Sequence, residues 1–137
     1  MNKISALIVD DNEVDRYLLT RHLNDIDVVD IFEADDGSSA LEFLSDYDKN
    51  REMHNGKFPP IVIFLDINMP ILNGFEFLDE FDVLRKRLEL KACVIMMYSS
   101  SERQEDKDKA AKFDFVQDFL IKGEVTPELL RDKVSAL

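Results

Sequence analysis

Five polar positions carry the chemistry this chain could do: Asp10 and Asp11, Asp66, Ser99 and Lys122. Asp10-Asp11, Asp66, Ser99 and Lys122 each close a separate apolar run. Carboxylates brought together raise one another's pKa unless a cation joins them. A hard divalent ion such as Mg²⁺ takes oxygen ligands and would relieve that repulsion. An ammonium pairs with a phosphate oxygen as a point charge, and a hydroxyl donates a hydrogen bond to it. Carboxylates form aspartyl-phosphates, so the nucleophile in such a set would be one of the acids. For Asp66 the plainer reading is a loop aspartate that begins a turn.

The elements that must position these residues are legible as apolar runs. Residues 61–65, Ile-Val-Ile-Phe-Leu, run without alternation and end on Asp66. Such a run fits a strand buried on both faces, as in the centre of a parallel sheet. Pro59-Pro60 and Pro70 bracket it and favour the strand over a buried helix. Residues 4–9 repeat the pattern and end on Asp10-Asp11. Asn12 is placed to cap a helix from Glu13, with Val14, Tyr17, Leu18 and Leu23 as its expected buried stripe. Residues 28–34 read as an edge strand, because one of its faces is partly polar. A helix is predicted over residues 38–47. Residues 48–58 form a long polar stretch that reads as a loop with room for extra helix at its start. Its length admits a binding role or a tolerated surface insertion. Phe77, Leu78, Phe81 and Leu84 recur at helical spacing within 75–88. Residues 92–98 make a fourth strand leading to Ser99-Ser100-Ser101. A helix over 105–112, a fifth strand ending on Lys122, and a last helix opened by Thr126-Pro127 complete the chain. Strands alternating with helices specify a parallel sheet covered on both faces. Right-handed crossovers then bring all the strand ends, and the five polar positions, to one rim.

Composition bounds the rest. The 137 residues suit one domain, with 45% hydrophobic and 34% charged residues. No apolar run is long enough to cross a bilayer and no secretory leader precedes the first strand, so a cytoplasmic protein without membrane contact is expected. The net charge of -12 opposes nucleic-acid binding. Cys93 is the single cysteine and lies in an apolar run as a small core residue. His22 and His54 are far apart and have no zinc-ligand spacing.

Asp10-Asp11, the stretch Leu65-Asp66-Ile67-Asn68-Met69-Pro70 with Gly74, the Ser99-Ser100 pair and Lys122 resemble the receiver domain of two-component response regulators. The resemblance spans essentially the whole chain, 1–137, as a single receiver without an effector domain. It implies a flavodoxin-like (βα)5 fold with strand order 2-1-3-4-5. It implies Asp66 as phosphoacceptor, Asp11 as a direct Mg²⁺ ligand and Asp10 supporting the ion through water, with Asp66 and the Asn68 carbonyl completing the protein ligands. Lys122 would contact the phosphoryl group, Ser99 would hydrogen-bond it, and the small Ser100 would keep the site open. The donor would be a phosphohistidine on a sensor histidine kinase or phosphotransfer protein. The output would be contact with a downstream protein, a relay, or phosphorylation-dependent homodimerisation, and not conventional enzymatic turnover.

Three departures from the family pattern stand out. Gly123 follows the lysine where the family usually has proline in a cis peptide. A cis bond before a non-proline costs roughly 2.5–4 kcal/mol, so a trans bond and a loosened loop are expected. Phe119 matches the switching aromatic but lacks a hydroxyl. Residues 48–60 are longer than in compact members. Tyr98 competes with Ser99 for the end of the fourth strand. Two other functions remain open: a binding module that keeps the fold without phosphorylation, and an aspartyl-phosphate phosphatase. The latter wants a second carboxylate where Asn68 stands.

Overall fold

A computed structural model of the chain describes residues 4–88 and 90–137. Five parallel strands, β1 (Ser5–Val9), β2 (Asp30–Ala34), β3 (Val62–Leu65), β4 (Val94–Ser99) and β5 (Val116–Ile121), form one sheet in the order β2-β1-β3-β4-β5. Among the described residues six helices accompany them: α1 (Glu13–Asp25), α2 (Gly37–Ser45), α3 (Tyr47–Met53), α4 (Gly74–Arg87), α5 (Gln104–Ala111) and α6 (Pro127–Ser135). The doubly wound flavodoxin-like arrangement is the one expected. Where β1 gives way to β3, chain direction across the sheet reverses, and the carboxyl ends of these strands form the crevice typical of such folds.

Strand alternation divides the interior into two cores. Leu7, Val9, Ile63, Leu65, Ile95 and Met97 face α2, α4 and α5, where Leu44, Phe77 and Phe81 complete the packing. Ala6, Ile8, Val62, Phe64, Met96 and Tyr98 face α1 and α6, meeting Leu19, Leu23, Leu130 and Val134. Because β1 and β3 are buried throughout, neither shows polar alternation in the sequence. Each fully buried leucine or phenylalanine contributes about 1.5–3 kcal/mol relative to an exposed one.

The buried stripe of α1 differs from expectation. Val14, Tyr17 and Leu18 are exposed, and Leu19 and Leu23 are the buried pair. The row facing the sheet is Asp15, Leu19, Leu23, spaced four residues apart. It begins with a carboxylate because its first member lies at the polar rim. The helix starts where Asn12 predicts, its side chain accepting from the Asp15 N–H at 3.0 Å.

The long polar stretch has the extra helix at its start for which the sequence leaves room: α3 opens it, and the chain then returns through buried Phe58. Phe58 packs edge-on against Phe43 and Tyr47, with ring centroids 5.3 and 5.6 Å apart. Asn50 is buried and donates to the Phe43 carbonyl at 2.7 Å. Lys57 reaches Asp30, the first residue of β2, at 3.3 Å. The segment therefore packs at the amino ends of the strands, away from Asp66. Cys93 is buried, and burial pushes its thiol up to about 12.

Candidate functional site

The rim is assembled by backbone pairing. The Asp66 N–H donates to the Val9 carbonyl at 2.9 Å, and the Asp10 N–H donates to the Ala34 carbonyl at 3.1 Å. Asp66 thereby sits beside Asp10 across the central strand pair. The Lys122 N–H donates to the Ser99 carbonyl at 2.8 Å, which fixes the ends of β4 and β5 against each other. The structure thus brings Asp10, Asp11, Asp66, Ser99 and Lys122 to one edge of the sheet.

Asp10 is fully buried, Asp66 is 5% exposed, and Asp11 is open to solvent. One oxygen from each of Asp10, Asp11 and Asp66 lies within 4.8 Å of the others. Among the described residues this is the one such cluster of potential metal ligands. Asp10 Oδ1 accepts from the Asn12 N–H at 2.9 Å. Asp10 Oδ2 is buried, with Lys122 Nζ 2.8 Å away. Three carboxylates whose oxygens approach one another this closely are a donor set that fits a hard divalent cation such as Mg²⁺. Asn68 is exposed on the loop two residues beyond Asp66.

Lys122 is 13% exposed at its side chain and meets three carboxylates: Asp10 at 2.8 Å, Asp15 at 2.9 Å and Asp66 at 3.5 Å. Burial disfavours its charge, but the contacts with Asp10 and Asp15 and the charge of Asp66 outweigh this and hold the ammonium above its usual range. For Asp66 the balance runs the other way. Burial and then the neighbouring Asp10 charge raise its carboxyl to about 6, against the opposing pull of Lys122 and of the Ile67 N–H. The Ile67 N–H reaches Asp66 Oδ1 at 2.9 Å and leaves Oδ2 toward the lysine.

The loop after Asp66 is held from beneath by Gly74. A Cβ at this position would collide with the Asp66 carbonyl oxygen and come within 2.8 Å of Ile67 Cα. The Gly74 N–H donates to the Ile67 carbonyl at 2.8 Å. A capping box between Asn73 and Glu76 starts α4 at this point. Only glycine lets α4 approach the strand end so closely.

Strand β4 includes Ser99, one residue beyond the expected end. Tyr98 faces the α1–α6 core, while Ser99 is fully buried at the rim. Ser99 Oγ accepts from the Ser101 N–H at 3.1 Å. Ser101 Oγ donates to Asp106 Oδ2 at 2.5 Å, joining this loop to the first turn of α5. Phe119 is partly buried against the α4-side core. The Lys122–Gly123 bond is trans, as expected. The following loop is not loosened: Gly123 takes φ +89, the Glu124 N–H closes a turn onto the Ile121 carbonyl at 3.0 Å, and Val125 is buried.

Two residues at the site carry no mark in the motif set. Arg16 donates to the Asp10 carbonyl at 2.6 Å and pairs with Glu33 at 3.2 Å, bracing the acidic turn. Asp15 accepts from Lys122. In the sequence Asp15 is a first-turn helix acid and nothing more. Its signal is its place four residues before Leu19 on the row that faces the sheet.

Comparison with known proteins agrees with this geometry. The response regulator receiver domain family matches residues 6–135. The chain is 28% identical to the chemotaxis protein CheY of Pseudomonas aeruginosa over 98% of its own length and 95% of that protein. It is 31% identical over 76% of its length to a protein-glutamate methylesterase/protein-glutamine glutaminase of Methanococcus maripaludis, of which it spans 24%. Among solved structures, a two-component response regulator from Cytophaga hutchinsonii superposes with a TM-score of 0.78 at 28% identity, covering 98% of this chain and 96% of that one. The receiver domain of the histidine kinase CKI1 from Arabidopsis thaliana, complexed with Mg²⁺ and BeF₃⁻, gives 0.77 at 25% identity over 96% and 90% of the two chains. The chain belongs to the response regulator receiver domain family of two-component signalling.

Proposed function

We propose that Asp66 accepts a phosphoryl group from a phosphohistidine of a sensor histidine kinase or histidine phosphotransfer protein. The carrying observation is the buried Asp66 carboxylate, with Lys122 Nζ at 3.5 Å on one side and the Asp10-Asp11 pair on the other. An Asp66 oxygen forms the new O–P bond as the donor's N–P bond breaks, and the electron pair leaves with the imidazole nitrogen. The Lys122 ammonium meets the charge on the phosphoryl oxygens. Ser99 Oγ accepts from a backbone N–H, which leaves its own proton to donate to the phosphoryl group. Asp10, Asp11, Asp66 and the Asn68 carbonyl would hold Mg²⁺, which supplies charge neutralisation to the acids and the transferred group.

In this reading residues 1–137 act as a single receiver whose output is protein contact, with a downstream target, a relay partner or a second phosphorylated copy. It is not a conventional enzyme. No described helix is long and apolar enough to cross a membrane. The reading places the chain in the cytoplasm, and its charge of -12 disfavours nucleic acid.

Intact-protein mass after incubation with acetyl phosphate tests the proposal. The expected result is a phosphoryl adduct that needs Mg²⁺, disappears in EDTA and is absent from Asp66→Asn. An adduct that persists in that variant would displace Asp66 as acceptor. Failure with acetyl phosphate and with a panel of phosphohistidine donors would support a binding module without phosphorylation.

A further inference from the structure

Lys122 meets three carboxylates, but they are not equivalent. Asp10 and Asp66 belong to the cluster whose oxygens converge on a cation site, and Asp15 does not. Nζ lies 2.8 Å from Asp10 Oδ2 and 2.9 Å from Asp15 Oδ2, so both acids hold the ammonium. Asp15 is the partner that stands outside the cluster of candidate cation ligands. The position of Asp15 is itself fixed, because its N–H donates to the capping Asn12 and its helix row continues into buried Leu19 and Leu23. The loop on the other side of Lys122 offers no comparable brace. Gly123 has no side chain, and nothing lies within 4 Å of where its Cβ would be.

An ammonium is a rival of a divalent cation for the same acids. If Lys122 paired only with Asp10 and Asp66, every cation that entered would first have to displace it. An ammonium has three N–H donors, so it can keep one bond to Asp15 while giving up its contacts with the other two. We propose that Asp15 is a positioning residue that anchors Lys122 from α1, keeping the ammonium at the rim while freeing Asp10 and Asp66 for a divalent cation. The inference rests on the receiver reading above.

The test is a double-mutant cycle on Mg²⁺ affinity, measured by calorimetry on the unphosphorylated protein. Wild type, Asp15→Ala, Lys122→Ala and the double variant are titrated with MgCl₂. In the Lys122 background Asp15→Ala weakens Mg²⁺ binding by roughly three- to tenfold, the scale of coupling between contacting charged side chains. Without the lysine the same substitution changes affinity by less than about twofold, since the anchor then has nothing to hold. An equal loss in both backgrounds would make Asp15 a plain contributor to the acidic field and would overturn the proposal. So would an unchanged affinity in Asp15→Ala alone. Lys122→Gln replaces Lys122→Ala in the cycle if the alanine variant fails to fold. A wild type that binds no Mg²⁺ and takes no phosphoryl group would overturn the receiver reading and the inference with it, whereas a working wild type with an additive cycle removes only the inference.

Discussion

The two ends of the sheet are built on opposite terms. At the amino ends, the segment from α3 to Phe58 closes over β2 and β3 with edge-on rings, and its buried asparagine is satisfied. At the carboxyl ends, two buried carboxylates share one lysine. The first end gains stability from packing. The second holds charges that burial disfavours, an arrangement that clusters at functional sites. Stability and chemistry are thus separated by the length of the strands, and changes at one end should leave the other untouched.

The sharpest break of that separation is Phe58→Ala. It removes a buried ring that contacts Phe43 and Tyr47, and is expected to cost about 3–5 kcal/mol in urea unfolding. Acetyl phosphate labelling of the remaining folded protein should match wild type. A labelling defect at full folding would mean that the two ends communicate.

Next in size is Lys122→Ala. It leaves Asp10 and Asp66 buried beside each other without their cation, and should cost about 2–4 kcal/mol in metal-free buffer at neutral pH. Mg²⁺ should restore part of that loss, because ligand binding to the native state stabilises it. A loss unchanged by Mg²⁺ would show that the lysine supports the fold through packing instead.

The smallest effect is a gain. In metal-free buffer the Asp66 carboxyl is raised from 3.8 to about 6 in the native state. The native state therefore holds a proton that the unfolded chain has already released, and stability falls as pH rises through that window. Asp66→Asn removes the penalty. It should stabilise the protein by up to about 3 kcal/mol above pH 7, and by nothing below about pH 4. A gain that is the same at both pH values would trace to something other than the buried charge.

How much of this was legible in the sequence depended on what marked each element. β1 and β3 announce themselves because burial on both faces leaves uninterrupted apolar runs that end on acids. The strand ends then give Asp10, Asp11, Asp66 and Lys122 directly, and Ser99 within one residue. The face of α1 was not legible in the same way. Two apolar rows satisfy helical spacing there, and the row that packs inward opens with Asp15, which hides it. Within 48–60 the extra helix at the start was legible but its packing was not. The rings of Phe43, Tyr47 and Phe58 meet only when the segment folds back on α2. Asp15 escaped notice because its partner is 107 positions away. Such a pairing exists only once the residue that follows β5 meets the first turn of α1 at the rim.

Gly74 carries a mechanical consequence. With no side chain between them, the first turn of α4 rests directly on the backbone of Asp66 and Ile67. No rotamer lies in that path to absorb a displacement. The joint behaves as a rigid coupling, without the compliance of a packed side chain. A tilt of α4 would meet the Asp66 carbonyl with no side chain between, along a helix whose far end reaches Arg87.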